Sequence, residues 1–586
     1  MQENVNNGRK EVGLRRELGF WEVFFMSIGG QAPFLSMLTY ATAVMILALY
    51  FSPLVVIIGT TVVLLNGIVV YFLSKKHTET GGYFNYAFKS LSRRFGFETG
   101  WMYVFYSVLY GASYVVGSTF VLNYILGIPP MLAFIIVFVP ASLFMVFGIK
   151  PSAKYAVFAA SLEIAILVSV TVVTLYFSHF QFYNPMAKLP STQGLFLGIL
   201  FAIGIPTGYG AITPISGEVV NAHKNVGRAA ISVIIIGGLL EAFVLYGLID
   251  AAIHGQGLSS ILQSQVPVIT VMRSIVGPFS TPLLIFVAVN DGILGSMAFF
   301  TACSRNIYAL SGRGFIHKIF GSASSSNIPR PSVLATIFVS AIVMVPSLFF
   351  ISPFAFFLLL GTVAGLANLV IHMFANGSLV KENLSRLIRN FKALIFGLVA
   401  LFVSGFVLIY SLLTSTVFEI ELVLGTIISG FIVVEAIEIH KSKDRGDIHE
   451  ATALSLRESL PDVVVKDTDS VLVAINKCTS CDSPGAIVLG KYNKPVGTFY
   501  MKDIHNLNPE MYQRLKVSET HLGEVVSIRP DDNYNDILSL FNRTGVPIMA
   551  IVAEDGRFIG TLRELELFRY GNNTVPLSAL DNLKTN

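Results

Sequence analysis

The sequence predicts an all-α membrane protein with twelve transmembrane helices, followed by a soluble α/β region at the C-terminal end. Of its 586 residues, 53% are hydrophobic and only 13% are charged, whereas a soluble domain carries about 25% charged residues. Apolar runs of about 20 residues recur along the chain, and this length crosses a bilayer core about 30 Å thick. The runs stop at the polar segment 440–447, and the chain stays polar from there to its end.

The predicted spans occupy most of the first 440 residues. They cover residues 20–50, 53–73, 98–127, 129–148, 155–178, 192–221, 229–253, 281–310, 332–350, 353–376, 392–413 and 418–439. The predicted organisation is an N-terminal tail at 1–19, a transmembrane domain at 20–440, a linker at 441–454, two similar units within 455–572 (455–510 and 520–572), and a C-terminal tail at 573–586.

Basic residues are concentrated in the loops on one side of the predicted spans. They lie between the second and third spans, between the sixth and seventh, around the end of the eighth and after the tenth: Lys75, Lys76, Lys89, Arg93, Arg94, Lys224, Arg228, Arg305, Arg313, Lys318, Arg330, Lys381, Arg386, Arg389 and Lys392. The opposite loops hold only Lys188 and Arg273. Because basic loops stay in the cytoplasm, we expect a multi-pass protein of the cell membrane with both termini cytoplasmic.

Two spans are interrupted near their middles. The first contains Gly29, Gly30 and Pro33, and the sixth contains Pro206 and Gly208, followed by Gly210 and Pro214. Unwound backbone is tolerated at membrane depth only where it lines a cavity or is buried in protein. Breaks in spans five apart are typical of two inverted five-helix repeats that hold a substrate at the midplane. Two simple helix kinks are the alternative.

Three motifs resemble those of the amino acid–polyamine–organocation permease family. Gly81-Gly-Tyr-Phe-Asn-Tyr86 with Gly96-Phe-Glu-Thr-Gly-Trp101 is similar to the stretch that opens the family's third span. Glu218-Val-Val-Asn221, with Arg228 ten residues after the glutamate, is similar to the signature after the sixth span. Ser304-Arg305-Asn-Ile-Tyr308 resembles the end of the eighth span. The resemblance covers residues 18–440 and implies a LeuT-like fold and secondary active transport of amino acids by alternating access.

The chain departs from the family pattern at both breaks. The first span has Gly29-Gly-Gln-Ala-Pro-Phe34 where the family usually has G-x-G-x-G-I-F. The sixth has Gly208-Tyr-Gly210 where the family usually has G-F-E. The resemblance therefore leaves the identity of the substrate open.

An unwound segment offers backbone groups to both ends of an amino acid. Its N–H groups suit a carboxylate and its carbonyls suit an ammonium group or a cation. The predicted substrate-binding residues are Gly29, Gly30, Gln31, Ala32, Ile205, Pro206, Thr207 and Gly208. The resemblance adds Tyr209, which stands where the family places an aromatic gate, although it can equally be a packing residue.

Ionisable residues inside spans are functional candidates by default. Glu163 stands where the resemblance places an intramembrane lysine in some proton-coupled relatives, so it is the predicted proton-coupling residue. A static glutamate hydrogen-bonded to an unwound backbone is the alternative for Glu163. Asp291 is predicted to contact a substrate amine or a coupling cation. Glu241, Asp250 and His372 are further intramembrane candidates, and Glu218 is expected to form a gate or an ion pair. A proton is favoured over sodium as the coupling ion.

The C-terminal region contains the same order of elements twice. In the second repeat the stretch 525–541 predicts a strand and a capped amphipathic helix, and the stretches 544–552 and 556–560 predict a hairpin of two strands. The paired units resemble a tandem cystathionine-β-synthase (CBS) module, which implies an adenine nucleotide as a possible regulatory ligand. The family pattern G-x-x-S/T-x-x-D places Asp503 and Glu566 at the ribose position, with Tyr500 and Arg563 in place of the hydroxyl residue. A structural role or homodimerisation through this module is the alternative.

The leading hypothesis is therefore a secondary amino-acid transporter with a cytoplasmic regulatory domain. A potassium or other cation transporter on the same scaffold is the alternative. The sequence has no Walker A motif for ATP-driven pumping, and nothing in it suggests an enzyme, a resident cofactor or nucleic-acid binding. The pair Cys478 and Cys481 has no second pair with which to complete a zinc site, so we expect no metal.

Overall fold

The structure is a computed structural model of the protein. It describes residues 14–255, 257–264, 266–324, 327–384, 390–449, 452–456, 462–481, 483–506 and 511–564. The chain divides into two compact units, Met1–Glu435 and Ala436–Asn586, which are considered separately. The division lies five residues before the predicted end of the transmembrane domain, and the other predicted boundaries stay predictions.

The first unit consists almost entirely of helices. The helices of its first half are α1 (Phe20–Gln31), α2 (Pro33–Ser36), α3 (Thr42–Ala48), α4 (Ser52–Ser74), α5 (Tyr83–Ser90), α6 (Arg93–Leu126), α7 (Pro130–Phe147) and α8 (Ile149–Phe177). Those that follow are α9 (Thr192–Ile203), α10 (Ala222–His254), α11 (Leu258–Ile261), α12 (Pro267–Val276), α13 (Ser280–Gly312), α14 (Arg330–Phe350), α15 (Pro353–Leu384) and α16 (Phe391–Thr414). The last helix, α17 (Val417–His449), begins in the first unit and ends in the second.

The predicted number of crossings agrees with the helix lengths. Across the described ranges, eleven helical stretches are long and apolar enough to cross a membrane. The first of them, Phe20–Ser74, has 55 residues, which is about 80 Å of helix. It is interrupted by a short 3₁₀ turn at Leu49–Phe51, so it contains the first two predicted spans. The described residues therefore contain twelve stretches of sufficient length, and the protein is a multi-pass membrane protein.

The contacts between helices follow the five-plus-five arrangement. The second span (α4) packs on the seventh (α10), and the third (α6) packs on the eighth (α13). The broken first span also packs on the turns of the sixth. These are the pairs that an inverted repeat of five helices relates to one another. The eleventh span (α16) packs outside them, on α15 and α4.

The second unit contains two copies of one small α/β arrangement. Their elements are α18 (Ala453–Leu456), β1 (Val464–Lys466), α19 (Val471–Ser480), β2 (Gly485–Leu489), β3 (Pro495–Tyr500), β4 (Ser527–Ile528), α20 (Tyr534–Thr544), β5 (Ile548–Val552) and β6 (Phe558–Arg563). In each copy the middle strand pairs parallel with the first strand and antiparallel with the third. Both antiparallel pairs carry an irregularity at the same place, after Val488 and after Ile551.

The two copies share a hydrophobic core. Ile548 and Ala550 of β5 are buried in the same cluster as Val465, Ile487 and Phe499 of the first copy. Units of about this size bury only a limited fraction of their surface and are marginally stable alone. The two copies therefore pack as the halves of one domain.

Candidate functional site

The first span breaks at one residue. Ala32 lies between α1 and α2 with φ 47° and ψ 69°, in the left-handed region. Its N–H bonds to the Gly29 carbonyl at 3.1 Å instead of continuing the helix. Pro33 supports the break because it has no N–H to donate. The predicted interruption is present, and its residues Gly29, Gly30, Gln31 and Ala32 are buried.

The sixth span unwinds over a longer stretch. Helix α9 ends at Ile203, and 3₁₀ turns follow at Gly208–Ala211 and Thr213–Glu218. Pro206 and Pro214 remove two backbone donors, and the intervening glycines weaken helix formation further. The second half of this span is therefore a series of turns and not a second α-helix. The predicted residues Ile205, Pro206, Thr207 and Gly208 are all buried in it.

The two breaks touch through their backbones. A Cβ atom at Gly208 would lie 2.1 Å from the Ser27 carbonyl oxygen and 2.4 Å from the Gln31 nitrogen. A Cβ at Gly30 would lie 3.5 Å from the Gly208 oxygen. At Gly208 only a residue without a side chain allows this approach. The structure thus brings together the two groups of residues that the sequence predicted as one site.

Two carboxylates bind the start of the second half-helix of the first span. The N–H of Phe34 donates to Glu163 Oε1 at 3.2 Å, and the N–H of Leu35 donates to Asp291 Oδ2 at 2.8 Å. Both acids are completely buried, and their carboxyl groups lie within hydrogen-bonding reach of each other. These N–H groups were expected to be available to a substrate carboxylate. Here the protein's own acids occupy them.

Further polar groups surround this acidic pair. Asn290 Nδ2 lies 3.3 Å from Glu163 Oε2, and the Tyr155 hydroxyl donates to Asn290 Oδ1 at 3.0 Å. Gln31 Nε2 donates to Glu241 Oε1 at 3.0 Å. Two carboxylates this close in a buried site repel strongly unless a proton or a cation lies between them. The arrangement can therefore hold one positive charge beside the first break.

The third span contributes four tyrosines that the sequence analysis did not select. Tyr103, Tyr106, Tyr110 and Tyr114 of α6 are at most 2% exposed. Hydroxyls of three of them donate to backbone carbonyls of the breaks: Tyr103 to Gly210 (2.9 Å), Tyr110 to Gly204 (2.9 Å) and Tyr114 to Gln31 (3.2 Å). Tyr110 also hydrogen-bonds Thr207. Their spacing of three, four and four residues places them on one helix face, which is a signal that the sequence contained.

A cavity of about 280 Å³ adjoins the sixth break. Tyr40, Tyr106 and Tyr110 line it together with Gly204 and Thr207 of the break. It extends to Ser415 and Glu419 at the connection between α16 and α17. Its volume is at the small end of the range for ligand pockets. Of the predicted binding residues, Thr207 lines it and the first-span residues do not.

Tyr209 lies on a different side of the break. Its hydroxyl lies 2.7 Å from Nε2 of His372 in α15, and the two rings stack at 5.7 Å. Tyr209 does not line the cavity, so a gating role for it stays a prediction.

The face of the first unit that carries the basic loops, called the basic face below, is closed by ion pairs and backbone contacts. Arg305 Nε lies 2.8 Å from Glu218 Oε1, and both side chains are 1% exposed. Leu18 forms a parallel bridge with Val219, which attaches the N-terminal segment to the end of the sixth span. The expected ion pair of Glu218 is thus present.

Glu79 reinforces this closure at the surface. Its carboxylate lies 2.6 Å from Lys89 Nζ and 3.2 Å from Arg313 Nη2. Partial burial raises the pKa of Glu79, but the hydrogen bond and charge of Lys89, with the charge of Arg313, outweigh it. The pKa consequently lies below its ordinary value. Exposed pairs of this kind contribute only about 0–1 kcal/mol each.

In the second unit, the predicted nucleotide residues are only partly described. Asp503 is partly buried on a 3₁₀ turn at Met501–Asn506, whereas Glu566 lies outside the described residues. Arg563 replaces the Ser or Thr of the G-x-x-S/T-x-x-D pattern in the second repeat. It is buried and donates from Nη1 to the Cys481 carbonyl at 2.9 Å. Burial raises the pKa of the Cys478 thiol to about 12, so this cysteine is a packing residue at neutral pH.

Comparison with known proteins agrees with these two folds. The sequence model of the amino acid permease family matches residues 22–443, and that of the CBS domain matches residues 518–573. The chain belongs to the amino acid permease family and carries a C-terminal CBS domain. The resemblance found in the sequence is thereby confirmed.

Solved structures similar to the chain include CBS domains. One, from a CBS domain-containing membrane protein of Sphaerobacter thermophilus, is 17% identical, with a TM-score of 0.21 over 23% of this chain and 96% of that one. A CBS domain-containing protein of Bacillus anthracis is 18% identical, with a TM-score of 0.20 over 22% of this chain and 99% of that one. A comparison with curated proteins finds no match.

Proposed function

We propose that this protein is a secondary active transporter of amino acids, coupled to protons by symport or exchange, with a regulatory cytoplasmic CBS domain. The observation that carries the proposal is the acidic pair Glu163–Asp291 on the first N–H groups of the half-helix that begins at Pro33. A charge change at these acids acts directly on the break that forms the predicted substrate site. Family membership supports a transporter rather than an enzyme.

The substrate site we propose is formed by the two breaks and the adjoining cavity. Thr207 and Gly204 belong to both the sixth break and the cavity wall. The tyrosine rings of α6 give the cavity a mixed apolar and hydroxyl surface, which suits a small amino-acid side chain. Gly29, Gly30, Gln31, Ala32, Ile205, Pro206, Gly208 and Tyr209 remain the proposed backbone and gate contributions.

We derive proton coupling from a competition between two acids and a substrate carboxylate for the N-terminal end of the half-helix. When Glu163 and Asp291 are both negatively charged, they repel each other and compete with a substrate carboxylate for the positive end of the half-helix dipole. One added proton removes the repulsion and favours binding of an anionic group nearby. Substrate and proton then bind more strongly together than separately, which is the thermodynamic requirement of symport.

Alternating access is supported by the asymmetry of the first unit. The buried ion pair Glu218–Arg305 closes the basic face, whereas the cavity extends from the sixth break towards the opposite face. We place the basic face and both termini in the cytoplasm, as the distribution of Lys and Arg predicts. The proposed conformation is then open towards the outside.

Uptake into proteoliposomes tests the proposal. A panel of amino acids is offered under an imposed pH gradient and, separately, a sodium gradient. Accumulation of at least one amino acid, stimulated by an inward proton gradient, is expected. If no amino acid is transported under either gradient, the proposal is wrong.

Replacing the coupling acid tests the mechanism. Glu163→Gln keeps the size of the side chain but cannot carry a proton or a negative charge, so uptake should continue with little dependence on pH. Glu98→Gln is the matched control, because Glu98 is also a fully buried acid within a span but lies away from the breaks, beside Gly430. Equal pH dependence in Glu163→Gln and the wild type would refute the role of Glu163.

A cation transporter on the same scaffold is the alternative, because the paired carboxylates also suit a monovalent cation. Thermal stabilisation of the purified protein separates the two functions. Stabilisation by an amino acid at constant potassium supports the main proposal, and stabilisation by potassium salts alone, relative to sodium salts, supports the alternative.

For the CBS domain we propose regulation by an adenine nucleotide, with Asp503 at the ribose. The nucleotide can bias transport only through different affinities for the two conformations. Binding of AMP, ADP and ATP to the full chain, compared with Asp503→Ala, tests this. Nucleotide-independent dimerisation of both proteins would instead favour the homodimer alternative.

A further inference from the structure

A line of buried rings connects the sixth-span break with the basic face. It begins at Tyr209, whose hydroxyl lies 2.7 Å from His372 Nε2. His372 meets Tyr83 edge-on, with 5.4 Å between the ring centroids. The ring centroids of Tyr83 and Tyr86 lie 5.9 Å apart, and those of Tyr86 and His77 also lie 5.9 Å apart. The residues beyond Tyr209 have no role in the transport mechanism proposed above.

The outer end of the line reaches partly exposed acid and base groups. His77 Nε2 lies 2.6 Å from Glu382 Oε1, and these side chains are 12% and 14% exposed. Lys76 Nζ lies 2.8 Å from Glu382 Oε2 and is 48% exposed. Glu79 also acts on His77 through its charge. By contrast, Tyr83, Tyr86, Tyr209 and His372 are at most 1% exposed.

Three polar atoms along this line make no hydrogen bond to the described residues. They are His372 Nδ1 and the hydroxyl oxygens of Tyr83 and Tyr86. A buried polar atom left without a partner costs about 1–3 kcal/mol, and phenylalanine would fill the same space without that cost. One bridging water can satisfy two such atoms at once. The line therefore offers hydrogen-bonding groups with free capacity along its length.

We propose that these residues form a proton route between the sixth break and the basic face. The Tyr209 hydroxyl passes its proton to His372 Nε2 and takes up another proton from the substrate site. His372 releases its Nδ1 proton towards Tyr83, and the hydroxyls of Tyr83 and Tyr86 pass it on to His77. Water at the basic face accepts it there. Each group that gives up a proton takes one up, so the net change is the transfer of one proton from the site to water at the basic face, and nothing is oxidised.

This inference rests on the proposed proton coupling and adds a function for the motif Gly81–Tyr86. The groups that face the route are Tyr209 and Tyr83 around His372, and Glu382, Tyr86 and Glu79 around His77. Tyr83 and Tyr86 lie three residues apart at the start of α5, and the tight approach of Gly82 to Thr213 places that helix against the sixth break.

The test separates proton movement from substrate movement in proteoliposomes. An internal pH-sensitive dye reports substrate-driven proton flux, while exchange of labelled for unlabelled amino acid at equal pH requires no net proton movement. His372→Gln should lower the proton flux at least tenfold and leave exchange within about threefold of the wild type. Tyr83→Phe and Tyr86→Phe, which remove one oxygen each, should lower the flux three- to tenfold. Tyr124→Phe and His254→Gln are the matched controls and should change neither quantity.

Each outcome decides the proposal. Proton flux at the wild-type level in His372→Gln, or a parallel loss of exchange in the two Phe variants, overturns the route. If His372→Gln does not fold, the two Phe variants decide it alone. If the wild type itself transports amino acids without moving protons, the coupling proposal fails first, and that result is distinguishable because it appears before any variant is measured.

Discussion

At the scale of single residues, Gly208 shows how little space separates the two breaks. Its α-carbon packs against backbone atoms of Ser27 and Gln31, and these atoms cannot rotate away as the end of a side chain can. Glycine therefore has a steric role here, independent of its flexibility. The same argument does not apply to Gly377 in α15, which has no atom of the described residues within 4 Å of its missing Cβ.

We predict that Gly208→Ala abolishes transport. The added methyl group would lie 2.1 Å from the Ser27 oxygen, so the breaks must separate. We expect uptake to fall more than tenfold and the melting temperature of the purified protein to drop. Gly377→Ala should instead leave uptake unchanged, because alanine favours the helix by about 1 kcal/mol. Wild-type uptake in Gly208→Ala would contradict the backbone contact.

Cys478 gives a prediction for the second unit. Because burial raises the pKa of its thiol to about 12 from an ordinary value of 9, the folded domain keeps it protonated and unreactive at pH 8. The contribution of the neutral thiol to the free energy of unfolding is fully present below about pH 9, and it is lost as the pH rises towards 12.

Alkylation of the chain that carries Cys303→Ser and Cys481→Ser measures this. Cys478 should react with iodoacetamide at least a hundredfold more slowly at pH 8 than the same chain in denaturant. The reaction should accelerate above pH 9 in the folded protein. Rapid modification at pH 8 would mean that this thiol is accessible.

At the scale of elements, the break in the first span depends on a single left-handed residue. Ala32 adopts φ 47°, which costs a residue with a Cβ about 1–2 kcal/mol. Glycine would remove this strain but would also lose more conformational entropy on folding.

We predict that Ala32→Gly is tolerated, with uptake within about twofold of the wild type and an unchanged or slightly higher melting temperature. Ala41→Gly is the matched control in the same span. Ala41 has helical φ and ψ, so its replacement should cost about 1 kcal/mol and lower the melting temperature. A large loss of stability in Ala32→Gly alone would argue against the left-handed break.

The position of the breaks was predictable from the sequence, but the groups that bind them were not. Proline and glycine mark an interruption locally, because they remove donors and weaken the helix. The bonds from Phe34 to Glu163 and from Leu35 to Asp291 join residues 129 and 256 positions apart, and no local pattern contains that pairing. Only the tyrosine face of α6 had a local signal, in its helical spacing. The 3₁₀ turns after Gly208 in the sixth span were also not predicted. Glycine and proline indicate a break, but they do not determine the conformation of the backbone that follows.

At the scale of the whole molecule, the two faces of the membrane part differ in charge and in closure. The basic loops and the buried pair Glu218–Arg305 lie on one face, and the cavity extends towards the other. Removing one partner of a buried ion pair costs about 3–5 kcal/mol because the other charge is left buried and unpaired, so the closed conformation requires both Glu218 and Arg305.

Thiol labelling in vesicles tests the predicted orientation. In a chain with its three cysteines replaced by serine, Thr414→Cys and Ser322→Cys place single thiols at exposed positions on opposite faces. An impermeant maleimide added outside right-side-out vesicles should label Thr414→Cys and should label Ser322→Cys only after the membrane is permeabilised. The reverse pattern would invert the orientation and place the CBS domain outside.

The backbone contact at Gly208 has a mechanical consequence. Sliding one break across the other would drive these backbone atoms into each other, so we expect the two broken spans to move as one body during transport. At roughly 15 Å from a hinge at this contact, half the thickness of the bilayer core, a turn of roughly 10° would displace a group by roughly 3 Å. A displacement of that size would separate Arg305 from Glu218, which lie 2.8 Å apart.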